Sequence, residues 1–256
     1  MNEGSEPLQP SRLSRIDTLW SVVCDAHDSA HERREPAQEV LLHRYGPAIK
    51  KYLVASLRDV EQAEEVFQEF ALKFIRGDLK HVSPEKGKFR AYVKTVLANL
   101  IRAHARKQSQ QRRLGSGNDL DAIQDADSKS DSEEQERAQL FLTTWRDELL
   151  ARTWTALHDE CSVSDSPSYI ALKYRVEHPA ENYEQLGVAL SELCGRDIKA
   201  GNARVMIHRA RSRFAKIMIE QVGDSLDNGA LPSIEEELAE LGLLHYCREV
   251  IDELKK

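Results

Sequence analysis

Apolar residues recur with the period of an α-helix along most of this chain, and this pattern constrains the fold more than any other feature. The clearest case is the segment DVEQAEEVFQEFALKFIRGDL, where apolar side chains follow the i, i+3, i+4 spacing of one helix face. They are Ala63, Val66, Phe67, Phe70, Ala71 and Phe74. Asp59 is a favourable N-cap and Gly77 a favourable stop. Because glycine and proline are scarce and long β-branched runs are absent, the sequence predicts an all-α protein.

Further helices are predicted on both sides of this segment. One covers Ile16–Ala30, and the next begins at Gly46–Pro47 in GPAIKKYLVASL, since glycine and proline suit a helix start. Residues 114–136 combine Gly, Ser and Asp with little periodicity, and helical patterning resumes near Ala138. Pro179 ends one later helix, and NYEQLGVALSEL and KAGNARVMIHRARSRFAKIMI predict two more. The sequence therefore predicts small helical domains joined by a flexible, acidic linker.

Composition favours a protein of the cytoplasm. No apolar run approaches the roughly 18 to 20 residues that cross a bilayer, and the start MNEGSEPLQPSRLSR has no apolar stretch suited to export. The cysteines, which are Cys24, Cys161, Cys194 and Cys247, lie far apart without a C-x-x-C pair. Neither a zinc ribbon nor a disulfide framework is indicated, and reduced thiols fit that compartment. We expect no cofactor and no bound metal.

Charge is strongly segregated within a chain whose formal net charge is -7. The segment from Lys86 to Arg113 holds nine Lys or Arg and no acid, and Lys199 to Lys216 holds six basic residues and no acid. Between them, Gly117 to Glu136 carries eight acids and one lysine. Because a partner feels the field within roughly 8 to 10 Å, two basic islands separated by an acidic bridge can bind nucleic acid despite the overall acidity.

The first basic island predicts an amphipathic helix with a nucleic-acid face. Its apolar side holds Phe89, Val93, Val96, Leu97, Leu100 and His104, and its other side holds Tyr92, Thr95, Asn99, Arg102 and Arg106. Tyr92 and Phe89 can offer flat rings to an unstacked base, Asn99 can read a base edge, and Lys94 can hold phosphate. The simpler interpretation is a solvated helix exterior, with Phe89 in the core. A run of 28 residues without a compensating acid argues against it.

The second basic island predicts a helix-turn-helix. A helix from Tyr183 to about Leu193, a glycine-containing turn and an arginine-rich helix fit this motif. On that geometry Lys199, Asn202, Arg204 and His208 face base edges, Ile207, Ala210, Phe214 and Ile217 pack inward, and Arg209, Arg211 and Arg213 reach phosphates. Many small helical domains also end in a basic amphipathic helix, which leaves a purely structural interpretation open.

The order of these motifs resembles that of a known family. AEEVFQEFALKF, then FRAYVKTVLANLIRAHARKQ, then YEQLGVAL with NARVMIHRARSRF, is similar to an extracytoplasmic-function sigma factor of bacterial RNA polymerase. RVEHPAENYEQL, HRARSRF and IEEELAELGLLHYC resemble the planctomycete-type version of this family. The resemblance implies an N-terminal, partly helical extension (1–36), a sigma region 2 bundle (37–113), the acidic linker (114–138), a region 4 helix-turn-helix (139–222) and an acidic C-terminal helical extension (223–256).

The resemblance also assigns roles to particular residues. The residues that dock on the clamp helices of the largest polymerase subunits are Glu64, Glu65, Phe67, Gln68 and Glu69. Those that capture and hold the opened minus-ten promoter element are Lys88, Arg90, Tyr92, Lys94, Thr95, Asn99, Arg102 and Arg106, with the loop from Pro84 to Lys88 beside them. Those that read the minus-thirty-five duplex are Lys199, Asn202, Arg204, His208, Arg209, Arg211 and Arg213. The implied partners are core RNA polymerase and promoter DNA, with no membrane, and an anti-sigma or other regulatory protein is left open.

This sequence departs from the family pattern at two places. Tyr92 stands where the family often has Trp, which gives a smaller stacking surface. The turn SELCGRDIKAG is several residues longer than the usual one. The register of Lys199 and Asn202 against DNA is therefore open.

Other classes of protein fit less of the sequence. A stand-alone helix-turn-helix regulator would explain both basic islands, but it leaves the acidic, phenylalanine-rich helix at 61–76 without a role. Catalysis is not expected, because Glu61, Glu64, Glu65 and Glu69 lack an inward histidine and helix glutamates at this spacing usually face solvent. Cys24, His27 and His31 have a spacing compatible with a soft metal, although a polar helix side with one buried thiol is the simpler interpretation.

Overall fold

A computed structural model describes residues 34–76, 88–116, 131–226 and 230–256, and within these ranges every regular element is an α-helix. The helices are α1 (Arg34–Leu57), α2 (Val60–Arg76), α3 (Phe89–Ser116), α4 (Asp131–Val163), α5 (Ser168–Glu177), α6 (Tyr183–Cys194), α7 (Ala200–Gly223), α8 (Leu231–Glu240) and α9 (Leu244–Leu254). The all-α prediction is confirmed. The helix predicted at Ile16–Ala30 and the stop at Gly77 lie outside the described residues.

Helix α1 begins earlier than the sequence indicated. It starts at Arg34 and carries Pro47 in its interior, so the predicted start at Gly46–Pro47 is wrong. An interior proline costs about 3 kcal/mol, because one backbone hydrogen bond is lost. Leu41 and Tyr45, which precede the proline, are buried together with Ile49 from the following turn. Burial of these large side chains, each contributing about 1.5 to 3 kcal/mol, offsets that cost.

Helix α2 forms as its sequence predicts. The Asp59 carboxylate accepts hydrogen bonds from the backbone amides of Glu61 and Gln62 at 2.9 and 3.0 Å, as an N-cap should. Ala63, Val66, Phe70 and Phe74 are buried, and Phe67 and Ala71 are half-buried. Helix α3 likewise buries its predicted apolar side, which consists of Phe89, Val93, Leu97, Leu100 and His104, with Val96 half-buried.

Most of the helices share one apolar core. It joins α1–α3 to α4 through Trp145, to α7 through Met218, to α8 through Leu238 and to α9 through Cys247. Desolvation raises the pKa of the Cys247 thiol to about 11, so this cysteine is an inert core residue. The long helices α4 and α7 therefore tie the N-terminal bundle to the C-terminal hairpin α8–α9.

A smaller apolar cluster holds α5–α7 together. It contains Ala171, Leu186, Leu190, Ile198, Ala203 and Ile207, and a third cluster around Leu157 and Ala210 connects it to α4. Helix α3 extends through Ser116 and α4 begins at Asp131, so both ends of the segment predicted as a linker, 114–138, are helical. Acidic residues in the first turn of α4 are favourable there, because they face the positive end of the helix dipole.

No helix in the described part of the chain is long and apolar enough to span a membrane.

Candidate nucleic-acid interface

The polar side of α3 presents one continuous surface. Thr95, Asn99, Arg102 and Arg106 are exposed, and Lys94 is partly exposed. The Arg102 guanidinium donates a hydrogen bond to the Asn99 side-chain oxygen at 3.1 Å, which brings a cation next to an amide. An exposed ion pair also joins Arg102 to Glu134 of α4 at 3.6 Å, and such a pair contributes little to stability. The surface can accept a strand backbone along its cations and a base edge at the amide.

Tyr92 lies at the edge of this surface. Its ring is half-buried and packs beside Phe89, with ring centroids 6.4 Å apart. Desolvation raises its pKa well above the usual value, so the phenol stays neutral. Helical periodicity predicted that Tyr92 lies with the exposed residues, but the side chain packs partly against the main core. The side chain is therefore only partly accessible.

The N-terminal end of α3 differs most from expectation. Arg90 is only 7% exposed, and its guanidinium donates hydrogen bonds to Glu237 of α8 at 2.6 and 3.1 Å and a further short one to Glu240. Lys88 lies 2.6 Å from Glu240 and 3.4 Å from Glu237. Both cations were predicted to hold DNA phosphate, and in this conformation they are held by carboxylates. The reason is that α8 packs its apolar side on the same core as α3.

These ion pairs change the affinity of the groups for protons. Burial by itself lowers the pKa of Arg90, but the hydrogen bonds and charges of Glu237 and Glu240 outweigh it and raise that pKa. Partial burial raises the pKa of Glu240, yet hydrogen bonds from Lys88 and Arg90 leave it below the usual value. Arg90 and Glu240 are therefore charged near neutral pH.

Helix α2 presents a second surface, which is acidic and partly apolar. Glu64, Glu65 and Gln68 are exposed, whereas Phe67 and Glu69 are half-buried. Glu64 pairs with Lys50 at 3.0 Å, and the Lys50 ammonium lies 4.4 Å from the centre of the Phe67 ring. Farther along the helix Leu72 and Ile75 are 51% and 44% exposed. On this surface, carboxylates and an amide therefore lie next to two exposed aliphatic side chains.

Local contacts fix the geometry of α6, the turn and α7. Asn182 caps α6 by accepting from the backbone amides of Glu184 and Gln185, and the Gln185 side chain accepts from the Asn182 amide. Gly195 ends α6 with a left-handed φ of 63°, a conformation that glycine adopts without strain. The Ile198 amide donates to the Ser191 hydroxyl at 2.8 Å. The longer turn is thus closed by hydrogen bonds.

Gly187 allows the turn to lie against α6. A Cβ atom at this position would be 2.8 Å from the Ile198 carbonyl oxygen and 3.2 Å from the Ala200 amide nitrogen. Backbone approaches backbone here, so no side chain can move aside. This contact determines how α7 is positioned relative to α6.

Helix α7 exposes almost the whole predicted set. Lys199, Asn202, Arg204, His208, Arg209 and Arg211 are exposed, and Ile207, Ala210 and Ile217 are buried as predicted, with Phe214 half-buried. Arg213 differs, because Glu160 of α4 accepts two hydrogen bonds from its guanidinium, one of them at 2.7 Å, and Glu220 lies 3.6 Å away. In this conformation Arg213 braces α7 against α4.

Some features were not foreseen from the sequence. The sequence indicated no role for Glu237 and Glu240, because the only feature that pointed to them was the general acidity of IEEELAE.

An open cleft of about 1120 Å³ lies between α1, α2, α4 and α7, and Arg44, Phe67 and Arg152 line it. Burial lowers the pKa of Arg152, whose guanidinium lies 5.3 Å from the centre of the Tyr45 ring.

The structure does not support the alternative interpretation of the α2 glutamates as a metal site. No group of three or more His, Cys, Asp or Glu side chains that could hold a metal ion occurs in the part of the chain that the structure describes. Glu61, Glu64, Glu65 and Glu69 of α2 therefore do not form such a group. Cys24, His27 and His31 lie outside the described ranges, as do Pro84 to Gly87 of the loop before α3.

Comparison with known families bears on the first three helices. Residues 41–111 match the family described as Sigma-70 region 2, which covers less than half of the chain. The match supports a sigma-factor role in binding RNA polymerase and recognising promoter DNA. The chain matched no curated protein and no solved structure.

Proposed function

We propose that this chain is an alternative sigma factor of the extracytoplasmic-function type, which directs core RNA polymerase to promoters and opens them. The single observation that carries the proposal is the region 2 match over residues 41–111. This range ends within α3 and contains both of the surfaces that a factor of this kind needs. One surface would bind protein and the other an opened DNA strand.

The acidic surface of α2 would dock on polymerase. Glu64, Glu65 and Gln68 are exposed in consecutive turns, and Phe67 lies at their base. A basic coiled coil such as the clamp helices would gain charge-assisted hydrogen bonds from the carboxylates and apolar contact from Leu72 and Ile75. Docking would have to exchange the exposed ion pairs that join Glu64 to Lys50 and Glu69 to Lys73, and such pairs contribute little to stability.

The polar side of α3 would hold the minus-ten element. Its cations can follow the backbone of one strand, and the partly exposed Tyr92 and the Asn99 amide can contact an extruded base. Extruding a base costs a few kcal/mol, so stacking and hydrogen bonding have to supply what phosphate contacts alone do not. In the proposed mechanism Arg102 and Arg106 grip the strand after it has opened.

The unit α6–α7 would read the minus-thirty-five duplex. Lys199 and Asn202 lie at the start of α7, where a recognition helix contacts base edges, and Arg209 and Arg211 lie farther along for phosphates. Each of the two DNA contacts is weak, and joining them through one polymerase complex gives a high effective concentration. The acidic segment 114–138, which DNA repels, would be threaded along polymerase toward its channels.

Factor-dependent transcription tests the proposal. The full-length chain is mixed with bacterial core RNA polymerase and a library of genomic promoter fragments. The transcripts are then sequenced. We expect transcripts that start downstream of a shared two-part element and that are absent with core enzyme alone. A stand-alone regulator, which the exposed α7 surface would also fit, instead binds duplex DNA without polymerase and yields no factor-dependent transcript.

A further inference from the structure

The N-terminal end of α3 has the chemistry of a phosphate site. The helix dipole favours an anion at that end. Two cations, Lys88 and Arg90, flank the first residue of α3. A DNA phosphate bound here would meet the helix end and both cations together.

In the structure both of these cations are already paired with carboxylates. Arg90 is shared by Glu237 and Glu240, and Lys88 lies 2.6, 3.4 and 3.7 Å from Glu240, Glu237 and Glu236. Two positive charges thus face three negative ones, so the local field repels phosphate instead of attracting it. The acids belong to α8, which lies about 150 residues farther along the chain.

We propose that α8 is a built-in competitor for DNA, in which the Glu240 carboxylate takes the place of a DNA phosphate beside Lys88 and Arg90. The single strand gains access to Lys88 only when it displaces the Glu240 carboxylate. The inference rests on the proposed function, since it assigns a form of regulation to the same minus-ten surface. It also explains how the chain can carry a strongly basic helix without binding nucleic acid non-specifically.

Glu240 is the member of the cluster that can move. Its side chain is 45% exposed, whereas the side chains of Glu237 and Arg90 are 4% and 8% exposed. Helix α8 itself is anchored, because Ile234 and Leu238 are buried in the main core. The exchange therefore needs a side-chain rotation of Glu240 and not the departure of the C-terminal hairpin. Glu237 keeps Arg90 in place throughout.

The test compares charge-neutral variants of the full-length chain. Fluorescence anisotropy measures binding of a short labelled single-stranded oligonucleotide to the wild type, Glu240→Gln and Glu249→Gln. The last is the matched control, because Glu249 is an exposed glutamate of α9 in the same C-terminal hairpin. A fourth protein carries Glu240→Gln together with Lys88→Gln. Circular dichroism and thermal unfolding confirm that each variant is folded.

We expect Glu240→Gln to bind at least about fivefold more tightly than the wild type and the Glu249→Gln control. Its logarithmic salt dependence becomes steeper by about 0.7, as expected for one additional phosphate contact on a single strand. Adding Lys88→Gln removes both gains. Equal affinity and slope for Glu240→Gln and Glu249→Gln would overturn the proposal, and so would the absence of oligonucleotide binding by all four proteins.

Polymerase is absent from this measurement, which keeps the two proposals separable. If none of the proteins binds core polymerase, the sigma-factor proposal fails, whatever the oligonucleotide shows. If the wild type directs transcription but Glu240→Gln gains no oligonucleotide affinity, only the competitor is refuted.

Discussion

The guanidinium of Arg90 donates two hydrogen bonds to the carboxylate of Glu237, and these two buried residues are 147 positions apart in the chain. The pair ties the start of the basic helix α3 to the C-terminal helix α8. Because Leu238 of α8 and Phe89 of α3 also belong to one core, the C-terminal hairpin is a structural part of the N-terminal bundle. Deletion of this hairpin would uncover that core, so point substitutions test its role better.

Breaking this pair from one side should destabilise the fold. We expect Glu237→Ala to lower the free energy of unfolding by about 3 to 5 kcal/mol, because it leaves a buried guanidinium with an incomplete partner. Arg90→Ala should cost less, since Lys88 remains 3.4 Å from Glu237. The double variant Arg90→Met with Glu237→Leu should lose less than Glu237→Ala. Urea unfolding followed by circular dichroism measures all three, and a double variant that loses as much stability as Glu237→Ala would refute the coupling.

Gly187 should tolerate no side chain. Gly187→Ala places a Cβ atom against the Ile198 carbonyl oxygen, so we expect it to cost about 1 to 3 kcal/mol and to weaken duplex binding by α7. Gly201→Ala is the matched control. Nothing lies within 4 Å of a Cβ atom there, and alanine favours the helix by about 1 kcal/mol. Thermal unfolding distinguishes the two, and an equal effect of both substitutions would argue against a close contact at Gly187.

Acid should destabilise the protein through carboxylates whose pKa is lowered in the folded state, and Glu160 and Glu240 are two of them. Hydrogen bonding to Arg213 lowers the pKa of Glu160, and the pKa of Glu240 is also lowered, despite its partial burial, by Lys88 and Arg90. A carboxylate with a lowered pKa in the folded state stabilises above its unfolded value of about 4.3 and loses that contribution as the pH falls through the folded value.

The measurement is the free energy of unfolding of the wild type and Glu160→Gln between pH 7 and pH 3. We expect the stability of the wild type to fall below about pH 5, with a smaller fall for the variant, which has one such carboxylate fewer. Parallel curves would show that the pair of Glu160 and Arg213 does not contribute.

Arg204 should contribute to upstream promoter recognition. Its side chain is exposed in the first turns of α7, with its guanidinium 5.8 Å from the centre of the Tyr183 ring. We expect Arg204→Ala to weaken the binding free energy for promoters with the preferred upstream element by about 1 to 3 kcal/mol. Binding to other promoters should change little. Lys216→Ala, at an exposed site farther along α7, serves as the control. Uniform weakening of all promoters would make Arg204 a phosphate contact.

Local sequence rules predicted α2 and the buried side of α3 because caps and apolar spacing act over a few residues. The same rules misplaced the start of α1, where the packing of Leu41 and Tyr45 overcomes the penalty at Pro47. They also could not pair Lys88 and Arg90 with α8. The packing of Ile234 and Leu238 in a core that α3 and α7 share brings Glu237 and Glu240 to the start of α3, and this packing depends on the whole fold and not on local sequence.

Binding to core RNA polymerase tests the central claim most directly. Purified full-length chain is titrated into core enzyme and the complex is followed by fluorescence anisotropy of the labelled chain, together with the double variant Glu65→Arg, Gln68→Arg and the control Glu249→Arg. Both substituted positions in the double variant are exposed on α2, so the fold should survive. We predict saturable one-to-one binding for the wild type and the control, and loss of binding for the double variant. A folded wild type that does not bind core enzyme, or a double variant that binds as tightly, would contradict the account.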